Sequence, residues 1–112
     1  MTAFDTRTTA AGVVVVRPEG RLNMIAAPGL REQLTSLVAA GTSRLVVDLG
    51  GVEFVDSSGL GALISGLKAA RQSGGDLRIA SPTPQVQSVL ALTSLDRVLR
   101  SYESADGAFG GE

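Results

Sequence analysis

Arg44-Leu45-Val46-Val47-Asp48-Leu49-Gly50-Gly51-Val52-Glu53-Phe54-Val55-Asp56-Ser57-Ser58-Gly59-Leu60-Gly61 is the stretch that decides the fold class. Its opening, Arg44 to Leu49, is a short apolar run rich in valine, as expected of a strand buried on both faces. The pair Gly50-Gly51 stops it. Val52 to Val55 reads as a connector. Beyond Asp56-Ser57-Ser58-Gly59, apolar Leu60, Leu63, Ile64 and Leu67, followed by Arg71, recur at helical spacing until Ser73-Gly74-Gly75 ends the segment. A buried strand feeding an amphipathic helix is half of a βαβ unit, so the class is α/β.

Working outward, Gly12-Val13-Val14-Val15-Val16-Arg17 is β-branched and of strand length, and Ala3 to Thr9 alternates weakly. The two read as strands joined by a turn near Ala10-Ala11-Gly12. Pro28, followed by Leu30, Leu34, Leu37 and Val38 and closed by Gly41, predicts a helix over roughly 26–40. On the other side, Leu77-Arg78-Ile79-Ala80 is a short strand. Pro82-Thr83-Pro84 opens a third helix, with Thr83 as its cap and Val86, Val89 and Leu90 as its inner face. Val98 to Tyr102 adds an edge strand. The expectation is one α/β domain over 1–112, with a mixed sheet whose initial pair is antiparallel and whose later strands are parallel, covered by about four helices. The Gly-rich end is expected to fray from about 104.

Composition removes most chemistries. The 112 residues contain no Cys and no His, and Lys68 is the one lysine. Disulfides, thiolate nucleophiles and the usual general base and metal ligand are therefore excluded. No Walker A or nucleophile-elbow pattern occurs. Ten basic and eleven acidic residues, with no run of either sign, make nucleic acid an unsuitable partner. No apolar stretch spans a bilayer, and Met1-Thr2-Ala3-Phe4-Asp5 lacks the build of a signal peptide, so a cytoplasmic location is expected. No catalytic residue, cofactor or metal site is expected, and the chain reads as a regulatory module.

Asp56-Ser57-Ser58-Gly59 occupies the end of a strand and the start of a helix, where open α/β sheets place their sites. Unpaired N–H groups and a partial positive charge there tolerate an added phosphate, so a seryl hydroxyl is a reasonable phosphoacceptor. The same four residues also serve as an ordinary helix cap. The helix that follows weighs against the cap alone. Opposite its apolar face lie Ser58, Gly61, Ala62, Ser65, Ala69 and Gln72, small or uncharged residues where a solvated helix normally shows charge. Gly61 and Gly66 each cost a helix about 1 kcal/mol relative to Ala, which invites close approach by another surface. That surface is either a partner docking on the stripe or another part of this same protein. A phosphate beside a neutral docking stripe would disrupt it by charge and desolvation.

The chain from about Val13 to Tyr102 resembles the STAS-domain anti-anti-sigma factors, the anti-sigma factor antagonists of partner-switching systems. The carriers are Gly20-Arg21-Leu22-Asn23 with Ala27-Pro28 and Leu30, then Leu45 to Leu49, Val52 to Gly61, and Gly74-Gly75-Asp76-Leu77; the Asp-Ser-Ser-Gly-Leu-Gly block is the specific part. The resemblance implies that the serine directly after the aspartate, Ser57, is phosphorylated by a partner that is both anti-sigma factor and serine kinase. It implies further that the unphosphorylated form binds that partner and frees the sigma factor in a stress response, and that a metal-dependent, PP2C-type phosphatase resets the switch. Asp56, Ser58, Gly59 and Asn23 would support the switch loop, and Ser58, Gly61, Ala62, Ser65 and Ala69 would bind the partner. Asn23 stands where many relatives have an aspartate, which either weakens recognition by the kinase or eases accommodation of phosphate. The segment from Ser104 to Glu112 is shorter than the usual final helix.

Three other readings compete. A STAS subunit regulating a transporter or multi-protein assembly would keep the stripe without phosphorylation. A receiver domain with Asp48 or Asp56 as acceptor lacks the acidic cluster and late-strand lysine it needs, since Lys68 falls on the second helix. A carboxylate enzyme would have to assemble Asp48, Glu53 and Asp56, which read more simply as strand-end, surface and cap residues.

Overall fold

The computed structural model describes residues 4–105 and 107–109. Strands β1 (Asp5–Thr8) and β2 (Val14–Arg17) form the expected antiparallel pair, with Thr6 opposite Val16 and Thr8 opposite Val14. Thr9 closes the turn: its Oγ1 accepts from the Val13 N–H at 3.2 Å and its carbonyl from Gly12. There follow β3 (Glu19–Leu22), α1 (Ala27–Ala39), β4 (Arg44–Asp48), β5 (Gly51–Val55), α2 (Ser57–Gln72), β6 (Asp76–Ala80), α3 (Pro84–Leu92) and β7 (Ser101–Tyr102). The main sheet runs β1-β2-β4-β6-β7, parallel after its first pair, and places β4 at its centre.

The sheet's two faces are covered differently. Toward the helices, Val14, Val16, Leu45, Val47, Leu77 and Ile79 meet Leu30 and Leu34 of α1, Leu60, Leu63 and Leu67 of α2, and Val86 and Leu90 of α3 in one apolar core. The other face, Val13, Val15, Val46 and Ala80, is covered by Ala105 and Ala108 with Tyr102 and Phe109. Arg78 fastens this strap, donating to the Ala108 carbonyl at 2.9 Å and lying 4.1 Å from the Phe109 ring centroid. The fraying expected from about 104 therefore does not describe Ala105, Ala108 and Phe109, because three valines on an otherwise bare sheet face need a cover. The rest of that expectation, at 106 and 110–112, lies outside the described residues.

Val52 to Val55 is not a connector. It belongs to β5, which pairs in parallel with β3 in a separate two-stranded sheet. Both strands are short, and the register shifts at Gly20/Arg21, so neither displays a clean alternation in sequence. Among the described residues there are three α-helices where about four were expected, with Leu95–Arg97 a single 3-10 turn. Thr83 does not cap α3 through its side chain; its hydroxyl donates instead to the Val52 carbonyl at 3.0 Å. The edge strand is shorter than expected, because Val98 lies outside it and Leu99 turns into the core.

Candidate functional site

Ser57 sits at the first position of α2, immediately beyond β5 and so at the carboxyl end of the small sheet, one strand later than the sequence suggested. Asp56 is the N-cap. It holds an extended backbone, and its Oδ1 accepts from the Gly59 N–H at 3.0 Å. The first helical bond runs from the Leu60 N–H to the Asp56 carbonyl, which leaves the N–H groups of Ser57 and Ser58 ahead of the ladder. Both serines are exposed, and among the described residues neither hydroxyl has a hydrogen-bond partner. The cap therefore uses the Asp56 side chain alone and leaves the Ser57 hydroxyl exposed and outside it.

β3 fixes this turn from one side. The Leu22 carbonyl accepts from the Asp56 N–H at 3.3 Å and presses on Gly59, where an added Cβ would lie 2.3 Å from that oxygen. Only glycine fits there. Asn23 follows directly. Its Oδ1 accepts from the N–H groups of Ile25 at 3.0 Å and Ala26 at 3.3 Å, so its side chain organises the turn into α1.

The stripe on α2 divides in two. Ser58 and Gly61 are exposed and Ser65 and Ala69 half-buried, but Ala62 is 3% exposed and packs toward α1. Gly66 answers to an internal neighbour: a Cβ there would sit 2.8 Å from Leu34 and 2.9 Å from Leu77. Gly61 has nothing within 4 Å of its missing Cβ. Of the three glycines in α2, Gly59, Gly61 and Gly66, only Gly61 opens outward. Nor is the stripe free of charge along its whole length, since exposed Lys68, seven residues and about two turns past Gly61, lies on the same face.

Between α1 and α2 runs an open groove of about 710 Å³. Its α2 wall is Ser58, Gly61, Ala62 and Ser65; Arg31, Glu32 and Thr35 stand on the α1 wall, and Met24 closes one end. Met24 is 70% exposed and its neighbour Ile25 is 85% exposed. Sequence reasoning passed over this pair. The available signal was two large apolar residues between Asn23 and Ala26 that fit no core-facing period.

The carboxylates Asp48, Glu53 and Asp56 are not gathered. Asp48 accepts from the Gly50 N–H at 2.9 Å and lies 3.7 Å from Arg17, Glu53 is exposed on β5, and Asp56 caps α2. Among the described residues no cluster of three acidic side chains forms a metal-binding group, and no helix is long and apolar enough to cross a membrane.

Known proteins share both the sequence pattern and this architecture. The family described as the STAS domain matches residues 6–108. A Thermotoga maritima protein provisionally named an anti-sigma factor antagonist is 32% identical over 97 residues, 86% of each chain. A crystal structure from the same organism with the same provisional name superposes with a TM-score of 0.87 at 30% identity, covering 95% of this chain and 91% of the other. The anti-sigma-B factor antagonist of Staphylococcus aureus is 30% identical over 91 residues, 81% of this chain and 84% of its own. An anti-sigma factor antagonist from Mycobacterium paratuberculosis, 29% identical, has a TM-score of 0.83 over 96% of this chain and 90% of the other.

Proposed function

Starting from the fact that this chain belongs to the STAS domain family, we propose that it is a cytoplasmic anti-sigma factor antagonist in a partner-switching stress pathway, with Ser57 as the switch. Unphosphorylated, it docks an anti-sigma factor that is also a serine kinase and so releases the sigma factor. Phosphorylation of Ser57 ends the contact, and a PP2C-type phosphatase restores it. The observation that carries this reading is the free Ser57 hydroxyl, one residue ahead of Ser58 in the wall of an open groove that exposed Met24 and Gly61 also line.

The mechanism is local. A phosphate on Ser57 adds about −1.5 to −2 charges next to Ser58, the first residue of an α2 groove wall that carries no charge as far as Ser65. The helix tolerates that charge, because the free N–H groups at its start stabilise an anion. The partner does not, since it would have to desolvate the phosphate without a compensating cation on this wall. The switch therefore changes affinity without unfolding α2.

Titration calorimetry with the anti-sigma partner tests this. Ser57→Ala should bind like the unphosphorylated protein, and Ser57→Asp at least about tenfold more weakly, the scale set by one uncompensated interfacial charge. Equal affinities would overturn the reading, as would mass spectrometry finding no phosphate on Ser57 after incubation with ATP and the kinase.

A further inference from the structure

Resting on the reading of Ser57 as phosphoacceptor, we propose that Gln85, in the first turn of α3, is a positioning residue that sets the backbone from which Ser57 is offered to the kinase. β5 has β3 on one side and, among the described residues, no strand on the other. On that open side the Val55 N–H donates to Gln85 Oε1 at 3.0 Å, and Gln85 Nε2 donates to the Val55 carbonyl at 3.5 Å. A carboxamide carries the same donor and acceptor as a peptide unit, so one side chain stands in for the missing strand at one residue.

That residue is the one before the cap. Val55 is 2% exposed, so its backbone groups have no recourse to water. From the β3 side, the Leu22 carbonyl takes the Asp56 N–H. The Val55–Asp56 peptide is thus gripped from both edges, and Asp56 in turn holds Gly59. Ser57 lies inside this clamp and, among the described residues, its side chain makes no hydrogen bond, so the direction in which its hydroxyl is offered follows from the backbone that Gln85 helps to fix. Gln85 lines neither the groove nor its rim. Its effect should fall on the phosphoryl-transfer geometry more than on docking.

Gln85→Met keeps the length of the side chain and removes both hydrogen bonds. With the cognate kinase, kcat for Ser57 should fall about tenfold or more while KM stays within about twofold. Thr83→Val, which removes the neighbouring bond to the Val52 carbonyl, is the control for general loosening of the same edge and should leave kcat within about twofold. An unchanged kcat in Gln85→Met, or an equal loss in both variants, would overturn the proposal. Amide hydrogen exchange of the unphosphorylated protein gives a reading independent of the kinase. Gln85→Met should speed exchange at Asp56 and Gly59 at least about tenfold and leave Leu63 to Leu67 unchanged. Unaltered exchange at Asp56 and Gly59 would also overturn it. Wild-type protein that takes no phosphate at Ser57 would instead overturn the underlying reading, and the wild-type control reveals that case separately.

Discussion

A methyl group is enough to separate the roles of the helix glycines. Gly59→Ala puts a carbon against the Leu22 carbonyl, and because the obstacle is backbone, strand and helix must part. A loss of about 1–3 kcal/mol in denaturant unfolding is expected, the usual cost of overpacking. Gly61→Ala meets open space and removes a helix-weakening residue, so it should gain about 0.5–1 kcal/mol. Both residues occur in the block Asp56-Ser57-Ser58-Gly59-Leu60-Gly61, and nothing in their order distinguishes them. The cap at Asp56 was legible in sequence because capping is a local interaction between residues three apart. The reasons for Gly59 and Gly66 were not, since each answers to a neighbour more than thirty residues away or on another element: Leu22 for the first, Leu34 and Leu77 for the second.

At the scale of the element, α2 was the easiest part to anticipate, because sixteen residues leave room for a full helical period. Its outer stripe was harder. Periodicity tells which side of a helix differs from the core side, but not whether a second helix already leans on it, as α1 does over Ala62. The structure therefore alters the choice of probe. Ala62→Arg would wedge α1 from α2 and is expected to destabilise the domain, whereas Gly61→Arg should fold normally and abolish partner binding, as circular dichroism and a pull-down would show. Normal folding of Ala62→Arg would mean that the two helices are free to separate. β5 was misread for a related reason: four or five residues whose partner strand lies about thirty positions away carry too little pattern to be told from a linker. Its open edge is completed by Thr83 and Gln85, residues that sequence reasoning treated as the start of another helix.

For the whole molecule, α/β class and sheet composition were readable from the alternation of apolar runs, since a central strand such as β4 must be apolar on both faces. The cover on the sheet's far side was not, because Ala105 and Ala108 are too small to announce themselves. The same region supplies the acid response. Partial burial pushes the Asp76 carboxyl up, but hydrogen bonds from Arg78, Arg71 and the Leu77 N–H outweigh it and hold the group below its usual 3.8. A carboxylate depressed in the folded state contributes stability that is complete above the ordinary carboxylate range and lost as pH falls through the depressed value. Asp76→Asn should therefore be less stable at neutral pH, by about 1–2 kcal/mol, and the gap should narrow in strong acid, as thermal unfolding at several pH values would show. Lys68, finally, is the only lysine of the sequence and is exposed on the outer face of α2, beyond the residues that line the groove. An amine-directed reagent thus meets one side-chain amine, about two turns along α2 from Gly61. With any free α-amino group blocked beforehand, a fluorophore or biotin attached there reports partner arrival from one site, and acylation of that nitrogen erases the charge that Lys68 brings to the α2 stripe.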